Sequence, residues 1–154
     1  MREFCDSISS YVSKQLKFSN ISIYQKLNVV MSNKVYDLQY KCQLDDNVLV
    51  VAVCYFTQYL QTQQINKISA ALNVFSTCAV LASKYIDDDS FQSEFFSDKL
   101  QIESETLSQL EMHVCLVLQY NFALEQNQLV NIQQQLDEIL VNNSNTPKMS
   151  FLEE

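Results

Sequence analysis

No glycine occurs in this 154-residue chain, and its one proline is Pro147. Hairpins of the I′ and II′ types need residues at positive φ, which glycine supplies without steric cost, so a β-rich fold would lack its cheapest turns. The omission points to helices joined by short connections. Hydrophobic residues make up 47% of the chain, enough to fill a core at a length where one domain is the default.

Apolar periodicity supports the same class. Between Ser7 and Lys17, Ile8, Tyr11, Val12 and Leu16 recur three and four apart, which predicts a short N-terminal helix. Ile21–Leu38 repeats the pattern with Tyr24, Leu27, Val30 or Met31, Val35 and Leu38. The run Val48 to Phe56 reads as a buried strand or a buried helix. It continues through Tyr59 and Leu60, longer than a typical strand, and no hairpin turn follows, so helix is the expectation. Asp45-Asp46-Asn47 offers acceptors and negative charge at its start. Asn66 or Ser69 is expected to open the next helix, which carries Ile68, Leu72, Phe75 and Ala79 and ends near Tyr85. Asp87-Asp88-Asp89-Ser90 suits a turn and a helix N-terminus, leading into a short segment with Phe91, Phe95 and Phe96. Ser104 is expected to cap a helix bearing Leu107, Leu110, Val114 and Leu118, and a glutamine-rich helix over Glu125–Val141 is expected to break at Asn142-Asn143-Ser144-Asn145-Thr146-Pro147. The expectation is an all-α domain of about seven helices.

Charge and composition exclude several functions. The formal net charge is -8, the only arginine is Arg2, and no lysines gather into a patch that would neutralise several phosphates, so nucleic acid is not an expected partner. The longest apolar runs fall far short of the roughly 18–20 residues of a membrane span. The acidic mixture at the N-terminus does not read as a secretory signal. Cys5, Cys42, Cys54, Cys78 and Cys115 show no zinc spacing and fit buried, reduced thiols, so a cytoplasmic or nuclear compartment is expected. The acidic run at Asp87 lacks the alternating ligands and the glycine of a calcium loop. His113 is the single histidine, and no nucleophile and acid are arranged around it by a motif. Neither a cofactor nor a metal is expected.

One run carries more information than periodicity. Val80-Leu81-Ala82-Ser83-Lys84-Tyr85-Ile86-Asp87-Asp88 resembles the third-helix signature of cyclins, in the form found in their small P/U type. Downstream, Leu107-Ser108-Gln109-Leu110-Glu111 and Leu116-Val117-Leu118-Gln119-Tyr120 resemble the fifth helix, at matching spacing. Phe91 and Phe95-Phe96 match aromatic positions of the fourth helix, and Val51 to Phe56 resembles the second. The resemblance implies a cyclin-like five-helix bundle over residues 21–124, with an added helix in 1–20 and a helix and tail in 125–154.

It also implies a function. Such a chain is a regulatory subunit, not an enzyme, that binds and activates a cyclin-dependent kinase catalytic subunit by packing on its C-helix. That packing aligns the C-helix glutamate with the kinase's ATP-positioning lysine. By motif, Lys84 and Glu111 match the pair that hydrogen-bonds the start of the C-helix, while Leu81, Tyr85, Cys115, Tyr120 and Phe122 match its apolar contacts. Without a partner, a Lys84–Glu111 pair would still satisfy the carboxylate, and the aromatic residues would be core.

The chain departs from larger cyclins in three places. Cys54-Tyr55-Phe56-Thr57-Gln58 lacks the aspartate and arginine of their Asn-Tyr-Ile-Asp-Arg pattern, there is no tryptophan, and Gln101 stands where a glycine usually precedes the fifth helix. The alternative reading is a cyclin fold retained as a structural subunit of a larger protein assembly. The row Leu129, Ile132, Leu136 and Ile139 or Leu140 would then either dock on a neighbour or close the chain's own bundle.

Overall fold

The computed structural model describes residues 2–18, 20–87 and 90–145. These form seven helices: α1 (Glu3–Gln15), α2 (Ile21–Tyr40), α3 (Asp46–Thr62), α4 (Ile68–Ile86), α5 (Ser93–Leu100), α6 (Ser104–Val117) and α7 (Gln126–Asn145). The protein is all-α, with α2 to α6 forming the expected five helices and α1 and α7 added at either end. No described residue lies in a strand.

α3 and α4 lie at the centre because their sequences are apolar around most of the circumference. Every residue from Val48 to Phe56 is buried on α3, and every residue from Val74 to Ser83 is buried on α4. A helix apolar on all sides belongs inside other helices. α1 and α7 pack against each other and against α3, while α6 packs on α4 and α5. Ile132 and Leu136 on α7 are buried in the same core as Ile8 and Val12 on α1, so the amphipathic row of α7 closes the chain's own bundle.

Several helix ends differ from expectation for local electrostatic reasons. α1 starts at Glu3, ahead of Ser7, because Glu3 and Asp6 complement its N-terminal dipole and Cys5 extends the buried stripe. Asn20 caps α2 by accepting from Ser22 N–H at 2.9 Å. Neither Asn66 nor Ser69 caps α4, which starts after Lys67, and Ser104 lies inside α6, where its hydroxyl donates to Ser97 Oγ. Asp87 ends α4, and α5 begins only at Ser93, so its start is not at the acidic run; Asp88 and Asp89 lie outside the described residues. α7 does not end at Val141 but continues into the run 142–147. The Ser144 hydroxyl donates to Leu140 O at 2.8 Å and the helix runs to Asn145, while Pro147 lies outside the described residues.

The absence of glycine leaves a mark at the helix C-termini. Lys17, Gln43, Gln101, Gln119 and Tyr120 adopt positive φ between 52° and 58°. At Gln101 the backbone closes a Schellman turn, with Ile102 N–H donating to Ser97 O at 3.1 Å and Gln101 N–H to Asp98 O at 3.4 Å. The geometry usually filled by glycine is thus kept with glutamine in place.

Candidate functional site

The C-terminal turns of α4 and the outer face of α6 bring most of the motif residues together. On α4, Leu81, Lys84 and Tyr85 lie three and four apart, so they share a face. On α6, Glu111 and Cys115 lie half-buried at the edge of the row formed by the buried Leu107 and Val114, and Met112 and Leu116, one position further round the helix, are exposed.

At the junction, Lys84 Nζ lies 2.5 Å from Glu111 Oε1, with the two side chains 33% and 13% exposed. The carboxylate beside an apolar helix face is therefore satisfied by a cation that keeps access to water. Sequence reasoning missed a third member. The Ser93 hydroxyl, on the first residue of α5, accepts from Lys84 Nζ and donates to Glu111 Oε2 at 3.2 Å. All three helices meet at this cluster.

Around it is an apolar surface larger than the motif indicated. Tyr85, Ile86, Met112, Leu116 and Tyr120 are all exposed. Ile86, Met112 and Leu116 were not expected there, although the sequence carries a signal: α6 bears apolar residues on more of its circumference than one buried stripe needs. Leu81 is buried and Cys115 half-buried, so Leu81 supports this face from beneath. Burial pushes the Cys115 thiol up, as does the charge of Glu111, while Lys84 opposes them.

Tyr120 and Phe122 follow the end of α6. Gln119 N–H donates to Leu116 O at 3.0 Å and Tyr120 N–H to Cys115 O at 2.9 Å, and positive φ at both residues turns the chain back across the helix end. Phe122 is held between two tyrosines, 5.7 Å from the ring of Tyr55 and 5.9 Å from that of Tyr85. Phe122 therefore reaches the same end of the surface as Tyr85.

Other candidates lie apart from this cluster or are satisfied internally. His113 is exposed on α6 and shares a 2.8 Å hydrogen bond with the Tyr59 hydroxyl. Arg2 bonds the side chain of Asn33 on α2 and lies 5.2 Å from the centre of the Tyr36 ring. Among the described residues no group of three or more His, Cys, Asp or Glu side chains could hold a metal, and no helix is long and apolar enough to cross a membrane.

The structure is thus an all-α bundle that presents the Lys84–Glu111 pair beside exposed apolar side chains. The family model described as Cyclin, N-terminal domain matches residues 8–123, well over half the chain, and the chain belongs to that family. No curated protein and no solved structure matches it.

Proposed function

We propose that this chain is a regulatory subunit that binds a cyclin-dependent protein kinase and activates it by packing the α4–α6 surface on the kinase C-helix, as in cyclins of the P/U type that its motifs resemble. The observation that carries the reading is the Lys84–Glu111 pair bordered by exposed Tyr85, Met112, Leu116 and Tyr120. A lysine and a carboxylate side by side can accept from and donate to the polar start of a helix. The apolar residues around them supply the dehydrated contact that gives such polar groups their strength. Docking the C-helix aligns its glutamate with the ATP-positioning lysine, which the kinase requires for phosphoryl transfer.

The reading predicts a separation between folding and binding. Lys84 keeps access to water while Glu111 is mostly buried, and replacing both by alanine removes the two charges together and leaves neither unpaired, so stability should fall by only about 1–2 kcal/mol. The same double variant should lose the partner. Affinity purification of the tagged chain from its native cells, followed by mass spectrometry, tests this. A stoichiometric protein kinase held by the unaltered chain and lost from Lys84→Ala/Glu111→Ala supports the reading. A large assembly without a kinase, held equally by both, would replace it with a structural role.

A further inference from the structure

Ser93 occupies a position where one added charge would rearrange the surface. Its hydroxyl is hydrogen-bonded to both members of the Lys84–Glu111 pair. The side chain is half-buried and follows two exposed residues, Phe91 and Gln92, in the non-helical segment before α5. An open cavity of about 520 Å3 adjoins it, lined in part by Lys84 and by the hydroxyl-bearing Ser90, Ser104 and Ser108. A phosphate on Ser93 would have room there, with hydroxyl donors and one cation within the same cavity. It would also lie at the first turn of α5, where negative charge is favourable.

We propose that Ser93 is a phosphorylation site, and that its phosphate draws Lys84 away from Glu111 and weakens the binding surface. This rests on the kinase-binding reading above for its consequence, but not for its chemistry. A separate serine kinase would supply the group. The Ser93 oxygen bonds to the γ-phosphorus of a nucleoside triphosphate, the bond from that phosphorus to the bridging oxygen breaks, the hydroxyl proton passes to the modifying enzyme, and the nucleoside diphosphate leaves. The product carries close to two negative charges near neutral pH.

Three changes follow at the site. Ser93 loses the proton it donates to Glu111 Oε2, the phosphate repels that carboxylate, and Lys84 gains a stronger acceptor than Glu111. Glu94 also lines the cavity, and its charge opposes the phosphate, leaving Lys84, the one cation among the described residues there, to compensate it. The polar pair that meets the partner is thereby taken apart while the buried core is left alone.

The test uses the full chain in two experiments. First, phosphoserine is placed at position 93 during translation, and its titration is followed by 31P NMR in the unaltered background and in Lys84→Gln. Contact with Lys84 predicts a lower titration midpoint in the unaltered background; identical midpoints overturn the exchange of partners. Second, the tagged chain is purified from its native cells with phosphatases inhibited, and Ser93 is mapped by mass spectrometry in the kinase-bound and free pools. Phosphate on Ser93 in the free pool and depleted from the bound pool is the expected result, with the phosphoserine chain recovering the kinase about tenfold less well. An unmodified Ser93 in both pools, or equal recovery, overturns the proposal. If the unmodified chain recovers no kinase at all, the functional reading fails by itself, and the 31P comparison still decides whether Lys84 changes partner.

Discussion

The hydroxyl of Tyr55, buried in α3, donates to the carbonyl oxygen of Phe122 at 2.7 Å, while the two rings meet edge to face. A core helix thus holds the segment that carries Tyr120 and Phe122 after α6 has ended. Tyr55→Phe removes the donor without changing the shape, leaving a partly buried carbonyl without that partner. The expected cost is about 1–2 kcal/mol in denaturant unfolding. Amide exchange over residues 119–124 should quicken more than in α3 itself. Unchanged exchange there would show that the hydrogen bond does not hold the segment.

Gln101 offers a test of the opposite sign. It is left-handed at φ 56° inside a Schellman turn, a conformation that disfavours any side chain with a Cβ. Gln101→Gly should stabilise the chain by about 1 kcal/mol, offset in part by the greater freedom glycine gives the unfolded state. Thermal unfolding of the two chains compares them directly. A lower midpoint for the glycine variant would mean that the glutamine side chain stabilises the turn by contacts that outweigh its backbone cost.

How far the sequence discloses this fold and surface depends on the range of the interaction. Val48 to Phe56 resolves as helix because its apolar run outlasts a strand and meets no turn, both local facts. Lys84 and Glu111 are legible because each lies within a motif with fixed spacing. Ser93 is not: its two partners are 9 and 18 residues away, and it reaches them only because α5 starts where it does. The starts of α4, α5 and α6, and not the end of α4 near Tyr85, differ from expectation, because serine, asparagine and aspartate cap a helix only when their side chains turn back on it. Ser104 instead donates across to Ser97. The exposed residues of α6 follow the same logic, since an apolar side chain shows its partner only when the neighbouring helices are in place.

Alkaline pH should weaken the fold through its buried acids. Burial pushes the thiols of Cys42 and Cys54 up to about 11 from an ordinary 9.0, and it raises the Tyr55 hydroxyl as well. Between pH 9 and 11 the unfolded chain has released the thiol protons that the native chain still holds. The native state binds more protons, so stability falls as pH rises. Their contribution is fully present below pH 9 and lost through that window. Denaturant midpoints measured from pH 7.5 upward, at about half-unit steps, should decline, and a Cys42→Ala/Cys54→Ala chain should decline less steeply.

Cys115 reports on the charged pair without needing a partner. It is the half-buried thiol of the five, the others being buried, so alkylation of the native chain should reach it first. Its pKa is raised by burial, then by the Glu111 carboxylate, and lowered by Lys84. The reactive species is the thiolate, and below the pKa its fraction grows about tenfold per unit of pH. Glu111→Gln removes a negative neighbour, lowers the pKa and should speed alkylation at pH 7.5. Lys84→Gln removes the positive neighbour and should slow it, and the difference between the variants should shrink at high salt. Mass spectrometry of the alkylated peptide against time measures both rates. Rates moving in the same direction would show that access, rather than charge, governs this thiol.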